Sequence, residues 1–296
     1  MARRKLAYRL LAVCALLMLV NAARAEQKKL KVYISADMEG VDGVVTWDVQ
    51  GMPKGREYEE FRRVMTQEVN AAIAGAFKAG ATEVLVSDDH HDSQNLDLEL
   101  LDRRVELIRG GPTPLGMMQG IDTSFDAVVF IGYHASEGQP GVLSHSFTGS
   151  MEIKLNGQVV PEAGFNAAIA GDFGVPVVFL SGDQIICEEA QRILGPIETV
   201  AVKQTIGFNV AKMMSLEKAR TLIEQGVERG VQRRAELKPY RVAHPKLEVR
   251  FKDILPTEKV SLIPGVDRSS GNTIVFAAPN MVEASKFEVL LEELAP

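Results

Sequence analysis

Two carboxylates stand two residues apart where an apolar run ends. In KVYISADMEGVDG, Lys31 to Gly43, the residues Val32, Ile34 and Ala36 give way to Asp37 and Glu39. Acids and imidazoles recur where later apolar runs stop: EVLVSDDHH closes on Asp88, Asp89, His90 and His91, DAVVFIGYHA carries His134 near its end, and Glu162 follows the segment NGQVVP. His145 lies between them in LSHS. Carboxylates crowded into one cleft repel one another, and each loses hydration energy that only a cation can offset. Imidazole mixed with carboxylate suits zinc or a similar first-row ion, whereas calcium and magnesium prefer oxygen donors alone. Asp37, Glu39, His90, His134 and Glu162 are more donors than one tetrahedral zinc takes with a position left open for water. Two metals sharing one carboxylate fit the inventory better.

Such a set needs a scaffold that brings strand ends together. Residues 57–80 space Phe61, Val64, Val69, Ile73 and Phe77 as a helix with Gly80 at its stop, and the strand TEVLVSDDHH follows at once. With the strand at Lys31 this is a β-α-β unit. The alternation continues through DAVVFIGYHA (strand), EAGFNAAIAGDFG (helix), VPVVFLSGD (strand) and CEEAQRIL (helix). The expected fold class is therefore α/β, a largely parallel sheet flanked by helices. Ligands of such sheets collect beyond the carboxyl ends of the strands, where these polar residues fall. MEIKLNGQVVP, with Asn156-Gly157 as its turn, reads as a hairpin inserted beside the site. After TVAVKQT a long helix is expected from Ser215 to about Leu237. The strand candidates KLEVRF, KVSLI and TIVFAA and a closing helix from Met281 to Leu294 then suggest a smaller C-terminal α+β portion.

The first 25 residues read as a secretory signal peptide. Arg3, Arg4, Lys5 and Arg9 precede the apolar run Leu10 to Val20, and Ala23-Arg24-Ala25 supplies the small residues of a cleavage site before Glu26. The expected organisation is thus signal peptide 1–25, metal-binding α/β catalytic domain 26–206 and α+β portion 207–296, with a periplasmic or secreted location. Without residues 1–25 the balance is 28 basic against 39 acidic side chains. That charge argues against a nucleic-acid partner and against an anionic membrane partner after cleavage. One cysteine, Cys187, remains, so no internal disulfide is expected. It sits in a predicted helix with no histidine near it in sequence, which argues against a thiol nucleophile.

SADMEG (35–40), EVLVSDDHHDSQNL (83–96), GYHA (132–135), PGVLSHS (140–146), EAGFN (162–166) and AVKQT (201–205) occur in an order that resembles the zinc-dependent D-aminopeptidases of the DppA family. The likeness spans nearly the whole mature chain and weakens after about residue 206. It implies an aminopeptidase with two zinc ions per subunit on an α/β fold, assembled as a homo-oligomer, in that family a decamer. Carried over by position, Asp37 would bridge the two metals, Glu39 and His90 would complete one, and His134 and Glu162 the other. His145 falls where the family has a histidine needed for activity, as a proton shuttle or an oxyanion partner, and the register favours His90 over His91. The expected activity is hydrolysis of short peptides, with a preference for N-terminal D-amino acids that rests on the resemblance alone. A periplasmic peptide- or metal-binding protein without turnover, or a metallohydrolase of another amide bond, are the rival expectations.

Overall fold

A computed structural model of the chain describes residues 29–294. The expected signal peptide lies outside them. β1 (Lys31–Ala36) is buried from Val32 onward, and β4 (Ala127–Tyr133) and β7 (Val177–Asp183) are buried throughout. Near-continuous burial explains why these strands read as apolar runs instead of alternating ones. They belong to a seven-stranded sheet in the order β3-β2-β1-β4-β7-β8-β9, completed by β2 (Glu83–Asp88), β3 (Glu106–Ile108), β8 (Glu198–Gly207) and β9 (Val210–Met213). Every neighbouring pair is parallel except β8 with β9.

The helices follow from right-handed crossovers. The chain leaves β1 through α1 (Tyr58–Lys78) for β2 on one side, then returns to β4 on the other side of β1 and proceeds through α2 (Glu162–Asp172) to β7 and through α3 (Gln184–Leu194) to β8. Opposite directions of travel put α1 on one face and α2 and α3 on the other. α4 (Leu216–Gln232) packs along α1 and against β7 and β8. The two helices come close because Gly75 has no side chain: a Cβ there would lie 2.3 Å from the Glu224 carbonyl oxygen.

A second, antiparallel sheet has the order β11-β12-β10-β5-β6, from β5 (Met151–Leu155), β6 (Gln158–Val159), β10 (Lys246–Phe251), β11 (Val266–Arg268) and β12 (Thr273–Ala277). Asn156 and Gly157 make the hairpin turn at φ 50° and 82°, as their types predict. The hairpin, however, pairs with β10, about ninety residues later. Together with the packing of α4 on the first sheet, this means that a boundary at residue 206 does not separate the two sheets. Each draws strands or helices from both sides of it. Residues Lys259–Ile263 (KVSLI) are not a strand: they finish α5 (Ile254–Val260) and the turn after it, with Pro256 inside the helix's first turn where its missing N–H costs nothing. α6 (Met281–Leu294) closes the chain against α2, and α2 is buried from Glu162 to Gly171.

Where β1 ends, the backbone turns sharply beside β4. The Gly40 amide donates to the Gly132 carbonyl at 2.6 Å, and a Cβ on Gly40 would stand 2.0 Å from the Tyr133 carbonyl oxygen. Glycine is required there by contact with backbone that cannot move aside. Gly40→Ala is expected to lower unfolding stability by about 2 kcal/mol or more, measured as a shift of the urea midpoint relative to the parent protein.

Candidate metal centre

Strand order reverses at β1, and the residues just past β1, β2 and β4 meet there. Asp37 and Glu39 follow β1, His90 follows β2, and His134 follows β4. Glu162, the first residue of α2, and His145, from the loop between β4 and β5, approach from above. All six side chains are buried. The structure brings every expected site residue together and leaves His91 exposed at φ 50°, outside the cluster.

Asp37 is the centre of the arrangement. Its Oδ1 lies 3.3 Å from His90 Nδ1 and its Oδ2 lies 3.5 Å from His134 Nε2. Glu39 Oε2 is 3.0 Å from the same His90 nitrogen, and Glu162 Oε1 is 3.2 Å from His134 Nε2. His145 stacks on His134 with ring centroids 3.9 Å apart, and its Nε2 is 3.9 Å from Glu162 Oε1. Two groups of donors result, Asp37 with Glu39 and His90, and His134 with His145 and Glu162. His145 thus stands within ligand reach of the second group, a proximity that spacing did not foretell.

The aim of each imidazole is fixed from behind. His90 Nε2 meets the Gly51 carbonyl at 2.6 Å, His134 Nδ1 meets Ala135 O at 3.1 Å, and His145 Nδ1 meets Leu143 O at 2.8 Å. A carbonyl only accepts, so each of these nitrogens carries the proton and the other nitrogen faces the carboxylates as a donor atom for a cation. Backbone carbonyls fill this role for all three imidazoles. Asp88 instead accepts the amides of Asn95 and Leu96 and the Asn95 side chain, while Asn95 Nδ2 also holds the His90 carbonyl, so Asp88 staples the loop that carries His90. Asp89 receives the hydroxyls of Ser35 and Ser87. Asn166 is spent on Tyr133 and Met117.

The electrostatics call for a cation. Burial, then the neighbouring Glu39 charge, pushes the Asp37 carboxyl up to about 7. Burial alone would lower His134, but the carboxylates of Glu162 and Asp37 outweigh it and raise the imidazole to about 10. His145 is lowered, first by burial and then by His134. Asp37 Oδ2 accepts no hydrogen bond although it is fully enclosed. An orphaned carboxylate oxygen amid inward-facing imidazole nitrogens fits zinc, whose preferred donors are these atoms.

Two residues with no chemical signature in sequence complete the centre. Trp47 opens a π-helical turn, Trp47–Gly51, and its Nε1 donates to Glu39 Oε1 at 2.7 Å while its ring meets His145 edge-on. The turn's last residue supplies the carbonyl for His90. Lys203, buried in β8, donates from Nζ to the carbonyls of Glu39, Val41 and Val44 at 2.5, 2.9 and 2.6 Å. Burial lowers its ammonium to about 8, against the opposing pull of Asp183, Glu68 and Asp42. It therefore remains predominantly charged at neutral pH and ties down the loop that presents both acids. A lysine set among the apolar residues of TVAVKQT was its one visible sign. A cavity of about 320 Å³ opens beside His145. A larger cleft of about 570 Å³, lined by Glu189, Arg192 and Tyr240, contains none of the clustered donors.

A doubly wound sheet with paired carboxylate–imidazole groups at its switch point defines the class: an α/β metalloprotein with a buried, cavity-linked metal centre. A family model described as D-aminopeptidase matches residues 30–289. A D-aminopeptidase of Bacillus subtilis (strain 168) is 38% identical over 269 residues, which cover 90% of this chain and 98% of that protein. A solved structure described as the Zn-dependent D-aminopeptidase DppA from Bacillus subtilis, a self-compartmentalizing protease, superposes with a TM-score of 0.87 at 36% identity, covering 90% of this chain and 98% of its own. The chain belongs to the D-aminopeptidase family.

Removing the Lys203 ammonium would strand three buried carbonyls and unbalance nearby carboxylates. Lys203→Met is expected to cost about 3–5 kcal/mol of stability, read from chemical unfolding of the purified protein.

Proposed function

We propose that the protein is an exported zinc aminopeptidase that removes N-terminal residues, with a preference for D-amino acids, from short peptides. The observation that carries the reading is Asp37, one carboxylate whose two oxygens face the imidazoles of two separate donor groups. Asp37, Glu39 and His90 would hold one zinc ion, and Asp37, His134 and Glu162 a second, with His145 beside it. Bound there, zinc supplies a water of lowered pKa and polarises a scissile carbonyl.

The chain's own groups do the rest. His145 keeps its proton on Nδ1 against Leu143 O, so Nε2 is free to take a proton from the attacking water and return it to the leaving amine. Its lowered proton affinity keeps that nitrogen unprotonated near neutral pH. Glu162 is steadied by the Phe147 amide at 2.6 Å, and Glu39 by Trp47, so neither carboxylate must reorganise during a turnover. Export is supported by the basic and apolar pattern of residues 1–25. A homo-oligomer is part of the proposal, supported by the likeness to a self-compartmentalizing protease, and a decamer, the form the family resemblance implies, is the expected assembly.

The decisive assay sets alanyl peptides with L and D first residues against the purified protein, with metal content measured before and after chelation. Turnover favouring the D series, lost on chelation and restored by zinc, is expected. Tight zinc binding with no turnover of either series would make the protein a binder instead. Asp37→Asn should reduce bound zinc at both positions, from about two per chain to well below one, whereas Glu39→Gln should leave about one. Zinc counted by elemental analysis after dialysis separates these outcomes from simple loss of activity.

A further inference from the structure

The cavity beside His145 has a composition that a metal centre alone does not require. Trp47 and Phe208 form an aromatic wall, their rings meeting edge-on at 5.7 Å, and Ser144, Glu137 and Lys252 line the remainder with His145. His145 belongs both to this lining and to the second donor group, so the cavity opens directly onto the reacting position. At about 320 Å³ it is at the small end of ligand cavities, room for one or two residues of a peptide but not for a folded chain.

Lys252 gives the cavity its single cationic side chain. It directly follows β10, whose last residue, Phe251, is buried, and its own amide donates to Ser150 O at 2.9 Å. Its Nζ donates to the carbonyl of Gly149, and Gly149 packs against His145: a Cβ on that glycine would lie 3.8 Å from the histidine's Cβ. The ammonium is therefore held on the His145 side of the cavity. It carries three donors and spends one on Gly149, and among the described residues no carboxylate pairs with it. His145 Nε2 in turn lies 3.9 Å from the buried Glu162 carboxylate, and Glu162 and Asp37 share the imidazole of His134, so the acids of the donor cluster are reached through His145.

A short peptide is a zwitterion whose poles match this polarity, its ammonium toward the acids and its carboxylate toward the cavity. We infer that the cavity seats the portion of the substrate beyond the scissile bond and that Lys252 binds its free C-terminal carboxylate. Lys252 is thus a specificity-determining residue that selects free dipeptides and their near relatives over blocked or extended chains. The inference rests on the aminopeptidase reading above.

The test compares alanyl-alanine of the preferred handedness with the same dipeptide blocked as its C-terminal amide, on the zinc-loaded protein. The free acid is expected to show a KM about five- to tenfold below that of the amide, the range for a charge-assisted contact at a solvent-accessible site. Lys252→Met should raise the acid's KM to the amide's, Lys252→Arg should restore most of the difference, and Lys218→Met, an exposed change on α4 outside the cavity lining, should preserve the acid-to-amide ratio. Turnover of both substrates with equal KM, or a Lys252→Met loss that falls equally on acid and amide, overturns the inference and leaves the aminopeptidase reading standing. Turnover of neither substrate by the zinc-loaded parent protein overturns that reading and this inference with it.

Discussion

Three carboxylates buried within reach of one another are the constraint that organises this protein. Asp37, Glu39 and Glu162 are almost wholly removed from water, where unpaired charge is expensive and where like charges drive one another toward protonation. Two arrangements offset this. Imidazole nitrogens are turned toward the carboxylates by carbonyls that grip the opposite side of each ring. A buried ammonium, Lys203, meanwhile holds the loop from Glu39 to Val44 by three of its carbonyls. Neither arrangement satisfies Asp37 Oδ2, and that deficit marks where a divalent cation belongs.

The sheet makes this crowding achievable. Successive strands on either side of β1 run parallel, so residues from positions 37, 90 and 134, far apart in sequence, finish at one edge of the same sheet. Glu162 must then enter from above, and it does so at the start of α2. That helix has small residues on nearly every side, and burying it requires cover beyond the first sheet. α6 packs directly on α2 and carries the contact on to the second sheet, with Phe276 and Phe287 stacked at 4.0 Å between a strand and the closing helix. The antiparallel portion thus shares one hydrophobic core with the helix that presents Glu162.

The sequence made the parallel strands and their polar ends legible because strands covered on both faces read as apolar runs that stop abruptly. Asp37, Glu39, His90, His134, His145 and Glu162 could be picked out on that basis and by family likeness. What could not be read is whatever depends on contacts between distant segments. β3 has three residues and β9 four, too few to show a period. The turn of the 151–159 hairpin was plain from Asn156-Gly157, but its partner β10 was not, since nothing local specifies a pairing across ninety residues. KVSLI resembles a strand by composition, yet hydrogen bonds of the turn after α5 claim its backbone. Lys203 and Trp47 act through carbonyls and a carboxylate that lie on other elements, so their types alone could not announce them.

Trp47 shows how closely the centre and the cavity are bound together. Within the five residues Trp47–Gly51, one side chain steadies Glu39, the same ring touches His145 and Phe208, and the final carbonyl fixes His90. Gly51 has little room to change: a Cβ there would approach the Trp47 ring to 3.3 Å and His90 Nε2 to 3.8 Å. A change in the aromatic wall that reshaped the cavity would shift the indole, and with it the hydrogen bond to Glu39 and the carbonyl behind His90. The shape of the cavity and the geometry of the candidate metal centre therefore share one short segment, and neither can be altered there without disturbing the other.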